Sequence, residues 1–298
     1  MSASESTQHE VLSSNMRSEH GPTINVNVPA FRPHAERLHA HSVRQHPDTG
    51  EIRLYLRCPT YVTAQVTAML SSHGPYRLAF SSAEGSGQWT DRYRLDSVPT
   101  ARERTALRLL EMVVTVEPRP GLDIAMALDY YTEPESDPDP MQWKKTRAGD
   151  MVRKAKYQKS PVAHQELVSE LVSVVRRHPL MSGCESVLSV PGHDATAVSF
   201  SEQLAQAVAR ELGVQFVRTV ARRASRPQAK EIGDADDLSN EFIVSDSVRG
   251  RPVLVVDDVV MSARSMAAVA QAARRAGAVG VCGIAGAKTL KKQARDGS

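Results

Sequence analysis

Two adjacent carboxylates, Asp257 and Asp258, end the apolar run Val253–Val256 in the stretch "RPVLVVDDVVMSARSM". Side by side they repel, and burying them unpaired is costly. That cost is tolerable where they face a partly wet crevice and meet hydroxyl donors or a metal. A ribose presents two neighbouring hydroxyls, a natural target for two acceptors. The residues just after add a second function. Met261–Ser265 reads as a turn opening a helix, where unsatisfied N–H groups and the positive end of the dipole attract anions. Ser262 and Ser265 supply hydroxyls to that seat, and a helix N-terminus of this kind holds phosphate. Diol on the acids and phosphate on the turn together describe a ribose 5-phosphate.

Such a pair needs a fold that brings strand ends to a crevice. In the carboxyl-terminal half, helix and strand alternate. "SPVAHQELVSELVSVVRRHP" opens with Ser160 as N-cap and Pro161 at the first helical position. "SVLSV" (Ser186–Val190) is a short buried strand running into "PGHD". "SFSEQLAQAVARELG" carries Ser199 and Glu202 as a capping box and Gly213 as a stop. "VQFVRTV" and "PVLVV" are strands, "SARSMAAVAQAARRAG" is a helix stopped by Gly277, and "VGVCGIAGA" is a last strand. The strands are apolar without polar alternation, which predicts a doubly wound parallel sheet. In such sheets ligands bind at the carboxyl ends of the strands.

Before this region lies a different pattern. Residues 1–23 read as a disordered tail, rich in Ser, Glu and His without an apolar period. Residues 24–132 read as a smaller α+β domain of unassigned role. "IRLYLRC", "YRLAFS" and "DRYRLDSV" alternate as half-buried strands, and "TARERTALRLLEMVV" has helical spacing with Thr100 and Glu103 as a capping box. "DIAMALDYY" is expected as its closing strand. The Pro-rich acidic stretch within 133–144 reads as a linker to the domain spanning 145–298.

Composition bounds the partners. From Met141 onward the chain carries a net charge of +8, and before it −5. A basic half suits an anionic ligand, either a phosphorylated small molecule or nucleic acid. No run approaches 18 consecutive apolar residues, so no membrane span is expected. The amino terminus has no apolar signal core, which points to the cytoplasm. Cys58, Cys184 and Cys282 are too scattered for a disulfide framework or a CxxC metal site. His34, His39, His41 and His46 match no helical metal face and read as surface residues.

Three rival readings of the acid pair fail or fall short. A receiver domain needs a later strand with a phosphorylated Asp, and too little chain follows Asp258 for one. "GVCGIAGAKT" is no Walker loop, because no Gly directly precedes Lys288. An acid capping the helix accounts for one carboxylate but leaves the second without a task.

The stretch resembles the phosphoribosyl pyrophosphate (PRPP) signature of type I phosphoribosyltransferases, an apolar strand followed by D-D-x-x-T-T-G-x-T. On that resemblance Asp257 and Asp258 match the acids that bind the ribose hydroxyls. Met261, Ser262, Ala263, Arg264 and Ser265 match the 5-phosphate loop, with Met261 in place of a hydroxyl residue and Ala263 in place of the usual Gly. "RKAKYQKSPVAHQELVSELV", "SVLSVPGHD" and "VARRASRPQAKEIGDADDLSNEFIV" are similar, in this order, to segments of the ComF-like branch. The resemblance implies that Pro191, Gly192 and His193 face the pyrophosphate and that Arg222, Arg223 and Lys230 belong to a basic loop closing over it. It further implies displacement of pyrophosphate at C1 of the ribose by a nitrogen nucleophile, with Mg²⁺ held through PRPP and by no direct protein ligand. A non-catalytic module on the same fold, binding PRPP, a nucleotide or DNA, is the alternative. The oligomeric state is open, a dimer included.

Overall fold

The computed structural model describes residues 36–79, 89–133, 143–192, 194, 197–222, 238 and 240–290. The tail expected at 1–23, most of the expected linker, and His34, His193, Arg223 and Lys230 lie outside these residues.

The chain opens with β1 (Ala40–Gln45), β2 (Ile52–Arg57), α1 (Thr60–Met69), β3 (Tyr76–Leu78), β4 (Asp91–Leu95) and α2 (Ala101–Met112). The four strands form an antiparallel sheet in the order β1-β2-β4-β3. Leu54, Leu56 and Leu95 point to one face and are buried in a cluster with Val62 and Val66 of α1 and Leu107 and Leu110 of α2. The expected capping box of α2 is present: the Thr100 hydroxyl accepts the Glu103 N–H at 3.3 Å, and the Glu103 carboxylate accepts the Thr100 N–H at 2.7 Å. A cap of this kind stabilises by about 1 kcal/mol. The strand β1 was not expected, and His39, His41 and His46 lie on it or at its ends. His41 Nδ1 meets Glu111 Oε1 at 2.8 Å.

Next come β5 (Val114–Val116), β6 (Ile124–Tyr130), α3 (Arg147–Tyr157), α4 (Pro161–Arg177), β7 (Ser186–Ser189), α5 (Phe200–Leu212), β8 (Gln215–Phe216), β9 (Val220–Ala221), β10 (Phe242–Ile243), β11 (Pro252–Val260), α6 (Arg264–Arg275) and β12 (Gly280–Lys288). A six-stranded sheet has the order β5-β6-β12-β11-β7-β8. All its neighbours pair in parallel except β5 with β6. The sheet is therefore mixed rather than wholly parallel, because a short turn between β5 and β6 folds the edge strand back antiparallel. The expected strand Val214–Val220 is broken. Its start is β8, and its end is β9, which pairs with β10 in a separate two-stranded ribbon.

The expected boundary at 133–144 also needs correction. β6, read as the closing strand of the first domain, pairs in parallel with β12, with Met126 opposite Ile284. The sheet therefore runs across the linker, and the separate antiparallel sheet ends at Leu95. The reason lies in burial on both faces of β6. Ile124 and Met126 join one cluster, and Ala125 and Ala127 join the other. That is the pattern of an inner strand, not of a half-exposed edge.

The central strand β11 shows the layering. Leu254 and Val256 pack with Leu167, Leu171 and Val208 of α4 and α5. Val253 and Val255 pack with Val269 and Ala273 of α6 and with Phe242. Among the described residues, no helix is long and apolar enough to cross a membrane. The three cysteines are free and buried. Burial raises their thiol pKa values, to about 11 for Cys58 and Cys184 and about 12 for Cys282.

Candidate functional site

The strand order reverses between β11 and β7. The chain leaves β7 through α5 to reach β8 on one side, and leaves β11 through α6 to reach β12 on the other. The carboxyl ends of these two strands are therefore the topological switch point of the sheet, the place where ligands bind in folds of this kind. β7 is paired with β11 only up to Ser189 opposite Val256, and the Val190 N–H makes a last bond to the Val256 carbonyl at 3.1 Å. Asp257 and Asp258 come next on β11, beyond the end of their neighbour.

The acids are not at the end of their own strand. β11 continues to Val260, opposite Lys288. Both carboxylates are buried, Asp257 with 9% and Asp258 with 6% of its surface exposed. Their partners come from two helices. The Lys156 Nζ of α3 donates to Asp258 Oδ2 at 2.5 Å. Ser201 Oγ, in the first turn of α5, lies 3.0 Å from Asp257 Oδ1 and 3.0 Å from Asp258 Oδ1. The Asp258 N–H also donates to Asp257 Oδ1 at 2.9 Å.

These contacts set the charges. Burial, and then the neighbouring Asp258 charge, push the Asp257 carboxyl well above the usual carboxylate range. Burial alone would lower Lys156, but the Asp258 carboxylate beside it outweighs that and holds the ammonium above its usual range. One hydroxyl hydrogen cannot serve two carboxylates at once. The raised Asp257 pKa answers that shortfall, and the Lys156 ammonium supplies a second donor to Asp258 through its Oδ2.

The turn after β11 differs from a glycine loop in one respect. Ala263 sits at φ 54°, ψ 13°, in the left-handed region, and makes no side-chain cap for α6. For an L-residue that conformation costs about 1–2 kcal/mol, which explains why a Gly is the usual occupant. The first amides of α6 receive no cap from the Ala263 side chain. Met261, Ser262, Arg264 and Ser265 are each half-buried around them. A cation arrives from the β5–β6 turn, where Arg119 Nε donates to the Ser262 carbonyl. Gln271 of α6 holds that turn through the Pro120 carbonyl at 3.1 Å.

On the neighbouring strand, Pro191 and Gly192 follow β7 and line a cavity of about 80 Å³ with Asp194, Glu202, Arg218 and Thr219. A Cβ on Gly192 would come within 3.0 Å of the Ser199 Cβ, so the turn lies tight against the start of α5. Ser199 caps α5 as expected, accepting the Glu202 N–H at 3.1 Å. The Glu202 carboxylate, however, forms an ion pair with Arg218 Nε at 3.1 Å, on the strand side of the cavity. Thr219 Oγ1 is buried there without a hydrogen-bond partner. Arg222 is exposed just past β9, and its N–H donates to the Glu241 carbonyl at 2.9 Å.

The structure thus brings Asp257, Asp258 and the 261–265 turn together on β11 and α6, with Pro191 and Gly192 on the neighbouring strand end. Lys156, Ser201 and Arg119 are the residues to which the sequence alone assigned no role. Lys156 lies in a segment with a family resemblance, and Ser201 follows a legible cap. Arg119 had no signal at all. Among the described residues no group of three or more His, Cys, Asp or Glu side chains is placed to hold a metal.

Residues 192–295 match the family model described as Phosphoribosyl transferase domain. This supports the phosphoribosyltransferase superfamily for that stretch. No curated protein matches the chain. Among solved structures, the adenine phosphoribosyltransferase from Leishmania tarentolae is 14% identical, with 59% of this chain and 94% of that chain covered and a TM-score of 0.36. The adenine phosphoribosyltransferase from Rhodothermus marinus is 16% identical, covering 61% and 85%, at a TM-score of 0.31. The orotate phosphoribosyltransferase from Aeropyrum pernix is 18% identical, covering 43% and 60%, at 0.28.

Proposed function

We propose that this protein binds PRPP in the crevice between β7 and β11 and transfers its phosphoribosyl group to a nitrogen nucleophile, releasing pyrophosphate. The observation that carries the reading is the succession on one strand and helix. An acid pair lies at the switch point of the sheet, and the turn after it ends at the uncapped start of α6. The ribose diol would take the carboxylates, and the 5-phosphate would take the α6 amides with Ser262 and Ser265. The pyrophosphate would lie toward Pro191, Gly192 and Arg222. Mg²⁺ bound to the pyrophosphate would neutralise the leaving group. The resemblance to the ComF-like branch belongs to this proposal too.

Lys156 and Ser201 hold carboxylate oxygens that the diol would take. Binding therefore requires the Lys156 side chain to swing away, and at 34% exposure it can turn outward. The ligand has to bind the opened form better by more than the ion pair is worth.

The same internal engagement, with Met261 and the strained Ala263, favours a second reading: PRPP or a nucleotide bound as a signal without turnover. Calorimetry with PRPP and Mg²⁺, alongside a pyrophosphate-release assay over a panel of purine and pyrimidine bases and amines, separates the two. Transfer predicts saturable binding and pyrophosphate release with one acceptor, both lost in Asp257→Asn/Asp258→Asn. The signalling reading predicts the same binding with no release. Absence of PRPP binding by the folded protein removes both.

A further inference from the structure

The outer face of the β1-β2-β4-β3 sheet concentrates cations and rings in a part of the chain that is acidic overall. Leu54 and Leu56 turn inward, so Arg53, Tyr55 and Arg57 turn outward on the same strand. Register then fixes the neighbours. Arg44 lies opposite Arg53, Arg53 opposite Arg94, and Arg94 opposite Tyr76, so one row across four strands reads Arg-Arg-Arg-Tyr. The next row reads Ser42, Tyr55, Arg92, Leu78. The ten outward positions of the four strands hold five arginines and no acid. The first 140 residues nevertheless carry a net charge of −5.

Like charges directly opposite one another destabilise a sheet. Internal relief is partial. Arg53 Nε meets Glu51 at 2.6 Å, and Arg92 is buried and turned to the Ala79 carbonyl. Arg44 and Arg94 stay exposed, each with its guanidinium over a ring, at 5.4 Å from the Tyr55 and the Tyr76 centroid. Trp89 lies beside Tyr55 with ring centroids 5.8 Å apart, and Tyr76 is 61% exposed. Cations spaced at strand intervals suit a chain of phosphates. Rings lying between them suit bases that are free to stack, which only a single strand offers. An acidic peptide would meet the arginines and leave the rings without a role.

We propose that this face binds a single-stranded nucleic acid, its phosphates along Arg44 and Arg94 and its bases against Tyr55, Tyr76 and Trp89. The site is separate from the crevice and does not depend on its function. It also differs from the expectation that a nucleic acid would lie on the basic carboxyl-terminal half.

The test is fluorescence anisotropy of labelled 12-mer DNA and RNA strands against the full chain, at low and moderate salt. A duplex and heparin are the controls. Both single strands are expected to saturate, the duplex and heparin at least tenfold more weakly. Arg44→Gln/Arg94→Gln is expected to weaken binding at least tenfold and to flatten the salt dependence by about 0.7 logarithmic units for each phosphate no longer neutralised. Tyr76→Ala is expected to weaken it several-fold with little change in salt slope, since it removes stacking and no charge. Asp257→Asn serves as a variant that leaves this face intact and is expected to bind as wild type does. Circular dichroism confirms folding of each variant, and Arg94→Glu replaces any that fails. The proposal is overturned by an absence of saturable single-strand binding, by equal affinity for heparin or duplex, or by affinity unchanged in the arginine and tyrosine variants.

Discussion

The crevice on β11 and the outer face of the antiparallel sheet both place like charges next to one another, and they manage the cost in opposite ways. Asp257 and Asp258 are taken out of water, and the repulsion is removed chemically. One carboxyl is driven toward its neutral form and the other is matched by Lys156. Arg44 and Arg94 stay in water, where the dielectric weakens repulsion and rings shield the guanidinium faces. The buried solution is sensitive to pH and little affected by salt. The exposed one is sensitive to salt. Each region is thus poised for a different ligand: the first must exchange an internal partner for one, while the second only gains one.

The contrast can be broken most forcefully at Lys156. Removing one partner of a sealed ion pair costs about 3–5 kcal/mol. Lys156 is one-third exposed, so Lys156→Gln is expected to cost about half of that, a fall in Tm of about 5 °C at pH 8. Scanning calorimetry of the variant checks this. An unchanged Tm would mean that the pair contributes nothing.

Asp257→Asn should move stability the other way. The folded-state pKa of Asp257 is raised, so its contribution is fully present below the ordinary carboxylate value and is lost as pH rises through the raised value. Asn mimics the neutral acid at every pH. The variant is expected to melt a few degrees above wild type at pH 8, with the difference closing below about pH 4. Melting curves across that range decide it, and a difference independent of pH would contradict a raised Asp257 pKa.

A smaller effect is expected at the phosphate turn. Ala263→Gly relieves the left-handed strain, offset in part by the greater freedom of Gly in the unfolded chain. The net gain is about 0.5–1 kcal/mol, or about 2 °C. Denaturant titration with a higher midpoint and unchanged slope is the expected outcome, and a lower midpoint would contradict it.

What the sequence made legible was local. The run into Asp257 and Asp258, the Ser160–Pro161 and Thr100–Glu103 helix starts and the Gly213 stop all follow from neighbours within a few residues. The need for an unusual backbone at Ala263 was visible as a departure from Gly. What stayed hidden depends on distance along the chain. Lys156 reaches Asp258 across 102 positions and Ser201 reaches Asp257 across 56, and no spacing rule links them. The strand β6 was read with the wrong sheet because an apolar run shows that a strand is buried but not which strand pairs with it. The helix α1, "TYVTAQVTAM", is rich in β-branched residues that favour strands, and its packing against the sheet decides its form. The arginine row became visible only once register placed Arg44, Arg53 and Arg94 opposite one another.

The central claim is that the carboxylates of β11 hold a ribose diol, at the expense of stability. Calorimetric titration of PRPP with Mg²⁺ into wild type and Asp257→Asn at pH 8 tests it most directly. The account predicts saturable binding by wild type and at least a hundredfold weaker binding by a variant that is more heat-stable. Equal affinity in the two proteins, or no binding by the folded wild type, would contradict it.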